Sequence, residues 1–200
     1  MNRVLSWMLF LFIFSCYSLA TKADTPFGYR VHGLNFSPYM DGQDPRQQPN
    51  ISKDQLFSRM GVVQPYTQWV RTFGSTHGLE RSGAVAHKLG LKVALSAWIS
   101  SDLAANEAEI ANLIAAAQRR EADMLIVGSE VMRRNDLDKK DKDYDALSEQ
   151  QLIEYINRVK QQVPGIPVTT ADTYGEIINH PNLISVSDVV MINRLYQKVV

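Results

Sequence analysis

A single carboxylate at the end of an apolar run is the group in this chain best suited to chemistry. Residues 124–129 (MLIVGS) have the composition of a buried strand, and Glu130 follows directly. If that strand belongs to a parallel barrel, Glu130 lies at the carboxyl-terminal rim, where such folds carry their active sites. The position predicts a proton donor or acceptor, because burying a carboxylate is costly without a role or a partner. The alternative is a structural ion pair with Arg71 or Arg133.

Other side chains follow the predicted strands at the same end. The aromatic ones are Tyr39, Phe73, Trp98 and Tyr174, and the polar ones are Asn35, Arg71, Asp102, Asp172 and Asn193. Aromatic faces beside carboxylates and amides suit a carbohydrate, which offers apolar faces for stacking and hydroxyls for hydrogen bonds. Core packing is the alternative for any one aromatic residue, but their shared position favours a site.

Several other kinds of site are disfavoured. The four histidines lack metal-ligand spacing, which argues against zinc. The segment 128–130 lacks the G-x-S-x-G frame of a nucleophile elbow, and no strand is followed by a Gly-rich phosphate loop. The acidic stretch 141–145 lacks the glycine and the bidentate glutamate of a calcium loop. The sequence therefore predicts neither a metal nor a cofactor.

The elements that must position these residues alternate along the chain. Strands are predicted at 31–36, 69–73, 91–98, 124–129, 166–171 and 188–193, and helices at 52–60, 79–89, 106–117 and 148–159. Two capping boxes are expected, Asn106 with Glu109 and Ser148 with Gln151. A charged loop is expected after Glu130, and a short connection between the last two strands.

Strands separated by such crossovers predict an α/β fold with a parallel sheet. Either an open doubly wound sheet or part of an eight-stranded barrel fits the pattern. The doubly wound alternative would be a nucleotide binder, and it predicts stabilisation by nucleotides.

Composition predicts an ordinary globular domain. The chain has 200 residues, of which 45% are hydrophobic, and 21 Lys and Arg balance 21 Asp and Glu. This balance argues against a nucleic-acid or membrane-surface partner, since both need a basic field.

The first residues predict export. Arg3 precedes an apolar stretch at 4–15, and small-residue cleavage sites end at Ala20 and Ala23. We interpret residues 1–23 as a signal peptide and 24–200 as the mature domain, periplasmic or extracellular. The apolar stretch is too short to cross ~30 Å of hydrocarbon. The only cysteine, Cys16, lies in this segment, and lipid attachment there is the less favoured alternative.

Several segments carry a family resemblance. They are GLNFSPY at 33–39, VRTFG at 70–74, GLKV at 90–93 with Trp98-Ile99, Asn106 with Glu109, VGSEV at 127–131, PVTTAD at 167–172 and His180-Pro181. In this order they resemble glycoside hydrolase family 17, the β-1,3-glucanase and glucosyltransferase family, especially its bacterial members. The resemblance implies a (β/α)8 barrel of the TIM type and a retaining mechanism with two glutamates.

The resemblance also assigns roles. Glu130 matches the family's general acid/base at the end of strand four. The family usually has an asparagine just before it, which bonds the sugar 2-hydroxyl, whereas this chain has Ser129. The family's nucleophile follows strand seven. We expect this chain to contain about six β/α units and to be truncated before that strand, so that no residue here inherits the role.

The leading hypothesis is an exported β-1,3-glucan hydrolase or transglycosylase with an incomplete barrel and Glu130 as the acid/base. The residues expected to line the sugar cleft are Tyr39, Arg71, Trp98, Ser129, Asp172, Tyr174 and Asn193. The alternative is a non-catalytic glucan-binding protein or an inactive truncated gene product. Both hypotheses expect a glucan partner, no nucleic acid and no metal.

Overall fold

The computed structural model describes residues 28–138 and 147–194. The predicted signal peptide and the acidic stretch 141–145 lie outside the described residues. Within them, six strands form one sheet: β1 (Val31–Asn35), β2 (Thr67–Arg71), β3 (Lys92–Ala97), β4 (Met124–Ser129), β5 (Val168–Thr173) and β6 (Met191–Asn193). These are the six predicted strands, with ends shifted by a few residues.

The strand order distinguishes between the two predicted architectures. All neighbours are parallel, and the order is β1-β2-β3-β4-β5-β6. A doubly wound sheet requires a point where the strand order reverses, and the sheet formed by the described residues has none. The prediction of a parallel α/β sheet is confirmed, and its open doubly wound form is excluded.

The helices partly match the predictions. They are α1 (Lys53–Val63), α2 (Ser82–Lys88), α3 (Leu103–Gln118), α4 (Val131–Asp138), α5 (Glu149–Gln162), α6 (Tyr174–Asn179) and α7 (Pro181–Val186). The charged loop expected after Glu130 begins instead with α4, and the expected short connection before β6 holds α6 and α7. None of the described helices is long and apolar enough to cross a membrane.

The helix starts show one correct and one wrong capping prediction. Ser148 and Gln151 form the expected capping box at the start of α5. The box expected for Asn106 and Glu109 is wrong, because α3 starts earlier and the Asp102 side chain accepts the Ala105 N–H as its cap. Asn106 and Glu109 are buried within α3, where their side chains bond other segments.

Apolar side chains pack on both faces of the sheet. The larger core joins one strand face to the helices and includes Val70, Leu95, Val127, Leu113 and Ile156. A smaller cluster on the other face contains Ala94, Ile126 and Ala171, with Met124 and Met191 against it. Successive residues of a strand point to opposite faces, which explains why the strands read as continuous apolar runs.

The sheet is strongly curled. The Arg71 Nη1 atom on β2 donates a hydrogen bond of 2.8 Å to the Asn193 Oδ1 atom on β6. In a flat sheet, strands four positions apart would be separated by about 19 Å. The described strands therefore form a curled half-barrel, with the small apolar cluster on its inner face. This architecture is consistent with an incomplete TIM-barrel-like fold.

Candidate active site

An irregularity at the end of β4 turns Ser129 and Glu130 toward the inner face of the half-barrel. Ile126 pairs with Thr169, but Ser129 already pairs with Ala171, so three steps on β4 oppose two on β5. A β-bulge of this kind re-aims the side chains that follow it. Gly128 has φ of +79°, and a Cβ there would lie 2.6 Å from Val131 Cγ2. Glycine thus permits the turn that orients the carboxylate.

The backbone of Glu130 itself has an uncommon conformation. Its φ is +55°, and its N–H donates a hydrogen bond of 2.7 Å to the Ala171 carbonyl on β5. A left-handed conformation at a residue other than glycine costs of order 1–3 kcal/mol and is concentrated at functional sites. The surrounding strands therefore hold this carboxylate in a set orientation.

Four side chains form a hydrogen-bonded group that we term the rim network: Arg71, Ser129, Glu130 and Asn193. Arg71 donates to Asn193 Oδ1 at 2.8 Å and to Ser129 Oγ at 2.9 Å. Asn193 Nδ2 donates to Glu130 Oε1 at 3.0 Å. The network joins β2, β6 and the end of β4, and the Glu130 side chain remains 27% exposed. The carboxylate is both oriented and accessible.

Two arginines set the charge around Glu130. Arg133 Nε lies 3.8 Å from Glu130 Oε2, so the structural ion pair considered from the sequence is present with this partner. Arg71 reaches the carboxylate through Asn193. Burial lowers the pKa of the Arg71 guanidinium, and the charge of Glu130 opposes that shift. The site therefore combines one carboxylate with two cations.

Asp172 is held by the backbone at the end of β5. It is 1% exposed, and its two oxygens accept the Met132 N–H at 2.9 Å and the Thr173 N–H at 2.8 Å. The first of these bonds satisfies a free donor at the start of α4. Burial raises the pKa of Asp172, the backbone N–H bonds oppose that rise, and the charge of Glu130 adds to it. Its predicted contact with sugar stays a prediction.

We expect Asp172→Asn to lower the free energy of unfolding by about 1–3 kcal/mol, because one buried N–H loses its acceptor. The loss should also depend on pH. The folded pKa is raised, so wild-type folding takes up a proton between the ordinary Asp pKa near ~3.9 and the raised value. The stabilisation that comes from this proton uptake is fully present at low pH, and it is lost as the pH rises through this window.

Urea unfolding of wild type and variant across pH 3 to 8 measures both effects. The difference in unfolding free energy should be largest in acid and shrink toward neutral pH. Asp54→Asn is the matched control, because Asp54 is exposed on α1. A difference that grows with pH would contradict the assignment.

Trp98 packs against a residue that the sequence reasoning missed. The Arg134 guanidinium lies 4.3 Å from the centre of the Trp98 ring, and it donates to the carbonyl oxygens of Ile99, Ser129 and Glu130. Trp98 itself is 41% exposed. Arg134 falls in the segment predicted as a charged loop, and nothing in its local sequence indicates this stacking.

Glu109 organises a second buried group that was also missed. Its carboxylate accepts the Ser75 N–H at 2.7 Å, the Ser75 hydroxyl at 2.8 Å, the Trp98 N–H at 2.9 Å and the Thr76 hydroxyl. These bonds tie α3 to the segments that follow β2 and β3. A glutamate at a position on the buried face of α3 is the signal that could have revealed it.

A cavity of about 590 Å³ lies beside this group, and we term it the aromatic cavity after Phe36, Tyr39, Phe73 and Trp98. Glu109 also lines it, whereas Glu130 does not. Burial, then the charge of Glu109, raises the pKa of the Tyr39 phenol. Tyr39 and Trp98, both predicted for one sugar cleft, thus lie together at this cavity.

Tyr174 is the last of the residues predicted to line the sugar cleft. Tyr174 starts α6, is 66% exposed and takes no part in the rim network. Among the described residues, no three His, Cys, Asp or Glu side chains come close enough to hold a metal ion.

The fold and the candidate site together indicate the class of protein to which this chain belongs. A curled parallel α/β sheet with an oriented carboxylate at its carboxyl rim is consistent with an incomplete TIM-barrel-like fold, and such barrels carry their active sites at this rim. The chain belongs to the BtgE/BtgC glycoside hydrolase domain family, whose model matches residues 33–195. No curated protein and no solved structure matches the chain. The family makes this a glycosidase-like domain with a glycan as its substrate.

Proposed function

We propose that this protein cleaves or transfers β-1,3-linked glucose units, with Glu130 as the general acid/base. The observation that carries the proposal is the hydrogen bond from Asn193 to an accessible Glu130 carboxylate at the rim of a glycoside hydrolase half-barrel. Proton transfer to the glycosidic oxygen requires a carboxyl group that is both oriented and within reach. The resemblance to glycoside hydrolase family 17 supports the choice of β-1,3-glucan.

Asn193 fits the role of the carboxamide that family 17 usually has just before the acid/base. Its Nδ2 atom lies 3.0 Å from Glu130 Oε1 and 3.4 Å from Ser129 Oγ. A sugar hydroxyl beside Glu130 would therefore meet an amide from β6 and a serine from β4. Hydrogen bonds to the sugar 2-hydroxyl strengthen in the transition state of glycoside cleavage.

The retaining reaction also needs a second carboxyl about 5–5.5 Å from the first. Asp172 does not fit that role, because backbone N–H groups occupy both of its oxygens and it is 1% exposed. The proposal therefore assigns the acid/base to Glu130 and assigns the nucleophile to none of the described residues. A second candidate, a glucan-binding protein without turnover, is favoured by the Trp98 ring, which is 41% exposed and available to stack on a sugar.

Matched pentasaccharides separate these candidates. The full chain should release reducing ends or transfer products from laminaripentaose and leave cellopentaose intact. Saturable binding of laminaripentaose without turnover, weakened by Trp98→Ala, would support the glucan-binding candidate instead. Turnover of cellopentaose alone, or binding of neither sugar, would contradict both.

We also propose that the protein is exported, on the basis of its first 23 residues. Arg3, the apolar stretch at 4–15 and the small residues before position 24 support a cleaved signal peptide. Amino-terminal sequencing of the exported protein should begin after Ala20 or Ala23. A chain retained inside the cell with its first residues intact would contradict this.

A further inference from the structure

The aromatic cavity has the size and lining of a small-molecule site that is separate from the rim network. Its volume of about 590 Å³ lies within the ~300–1,000 Å³ range of ligand pockets. Its walls come from the segments after β1, β2 and β3, and besides the four aromatic rings they include Pro38, Pro45 and Leu79. The walls are therefore mainly apolar.

Several of the polar groups that line the cavity already have partners. The Glu109 carboxylate accepts four hydrogen bonds, one of them from the Thr76 hydroxyl. Thr72 Oγ1 accepts the Ser96 N–H at 3.0 Å, and Arg46 pairs with Asp44 at 2.7 Å. These groups hold the walls in place and offer little to a ligand.

The uncommitted hydroxyls among the lining residues include those of Ser82 and Tyr39. The Ser82 hydroxyl is buried and has no hydrogen-bond partner among the described residues. Tyr39 is half-buried, and its hydroxyl makes no hydrogen bond within the described part of the chain. A buried hydroxyl without a partner is unfavourable, so the Ser82 hydroxyl would gain from one polar group on a ligand.

We infer that the aromatic cavity binds a phenolic ring. Such a ring presents apolar faces to Phe36, Phe73 and Trp98, and its single hydroxyl can meet Tyr39 or Ser82. A sugar fits less well, because its several hydroxyls would lose water against walls that are mainly apolar. The inference concerns a ligand other than the glycan proposed for the rim network.

The cavity shares two walls with the rim network. The Arg71 guanidinium lies 5.0 Å from the centre of the Phe73 ring, and Arg134 stacks on Trp98. Arg71 bonds Ser129, and Arg134 bonds the Glu130 carbonyl oxygen. The phenolic ring would therefore lie one side chain away from the proposed glycan site. Either a free phenol or the hydroxyphenyl group of a hydroxyphenyl glycoside has the required chemistry.

Titration calorimetry with phenol and toluene tests the inference on the full chain. Toluene keeps the ring and lacks the hydroxyl. We expect both to bind, phenol more tightly, and Tyr39→Phe combined with Ser82→Ala to weaken phenol about 3–10-fold while leaving toluene unchanged. Tyr174→Phe is the matched control, because Tyr174 is exposed and does not line the cavity. Hydroxyphenyl β-glucoside distinguishes the two sources, since tighter binding than phenol identifies a hydroxyphenyl glycoside.

Three results would overturn the inference. They are no binding of phenol at millimolar concentration, equal losses for phenol and toluene in the double variant, or displacement of phenol by laminaribiose. The last would make the cavity a sugar subsite. Glu130→Gln should leave phenol affinity unchanged, so failure of the proposed glycan chemistry and failure of this inference give different results.

Discussion

Replacing Glu130 by glutamine is expected to lower glycan turnover by about 10²–10⁴-fold, the usual contribution of a general acid/base. Glutamine retains the Oε1 atom that accepts the Asn193 N–H, so the rim network and the fold should persist. The variant cannot donate the proton that the departing sugar oxygen needs. Initial rates on laminaripentaose, compared at equal protein concentration, measure the effect.

The control for this experiment is Glu154→Gln. Glu154 is an exposed residue of α5 and accepts a hydrogen bond from Gln150 on the same helix. Its replacement should leave turnover within twofold of wild type. Full activity in Glu130→Gln would remove Glu130 from the reaction. Equal losses in both variants would point to damage unrelated to proton transfer.

Glu109→Ala is expected to cause the largest loss of stability, about 3–5 kcal/mol in the free energy of unfolding. The substitution leaves the buried N–H groups of Ser75 and Trp98 without their acceptor. It also releases the segment after β2 from α3. Chemical denaturation monitored by circular dichroism measures the loss.

Two variants separate the buried bonds from the loss of charge. Glu109→Gln keeps one carbonyl acceptor and should lose less than Glu109→Ala. Glu107→Ala removes a carboxylate from the exposed side of the same helix, where it pairs with Arg158 at 2.9 Å. An exposed pair of this kind contributes about 0–1 kcal/mol. Similar values for the alanine variants at 107 and 109 would contradict the role assigned to Glu109.

The regular part of the fold could be predicted from the sequence. Apolar runs ending at defined points gave all six strands, and Ser148 with Gln151 correctly marked the start of α5. Such signals are local, because a strand or a helix cap depends on neighbouring residues. The strand order was left open between two architectures, and the sequential pairing of the strands decides it.

The errors have a common physical cause. Glu109 resembles a capping residue by spacing, but burial directs its carboxylate to Ser75 and Trp98, which are distant in sequence. Arg134 resembles a solvated loop charge, but tertiary packing stacks it on Trp98. The bulge before Glu130 depends on the register between β4 and β5, which a single sequence does not contain. The positions of these side chains thus depend on contacts between residues distant in sequence, which a local sequence pattern does not reveal.

The curl of the sheet has a consequence for the order of folding. Every strand pairs with the next one along the chain, so the sheet can grow through contacts between neighbouring units. The bond between Arg71 and Asn193 instead joins residues 122 positions apart, and it depends on the four strand pairs that lie between β2 and β6. A folding intermediate could therefore hold all of its secondary structure and still have no assembled rim network. Catalytic competence would then be the last property that the folding chain acquires.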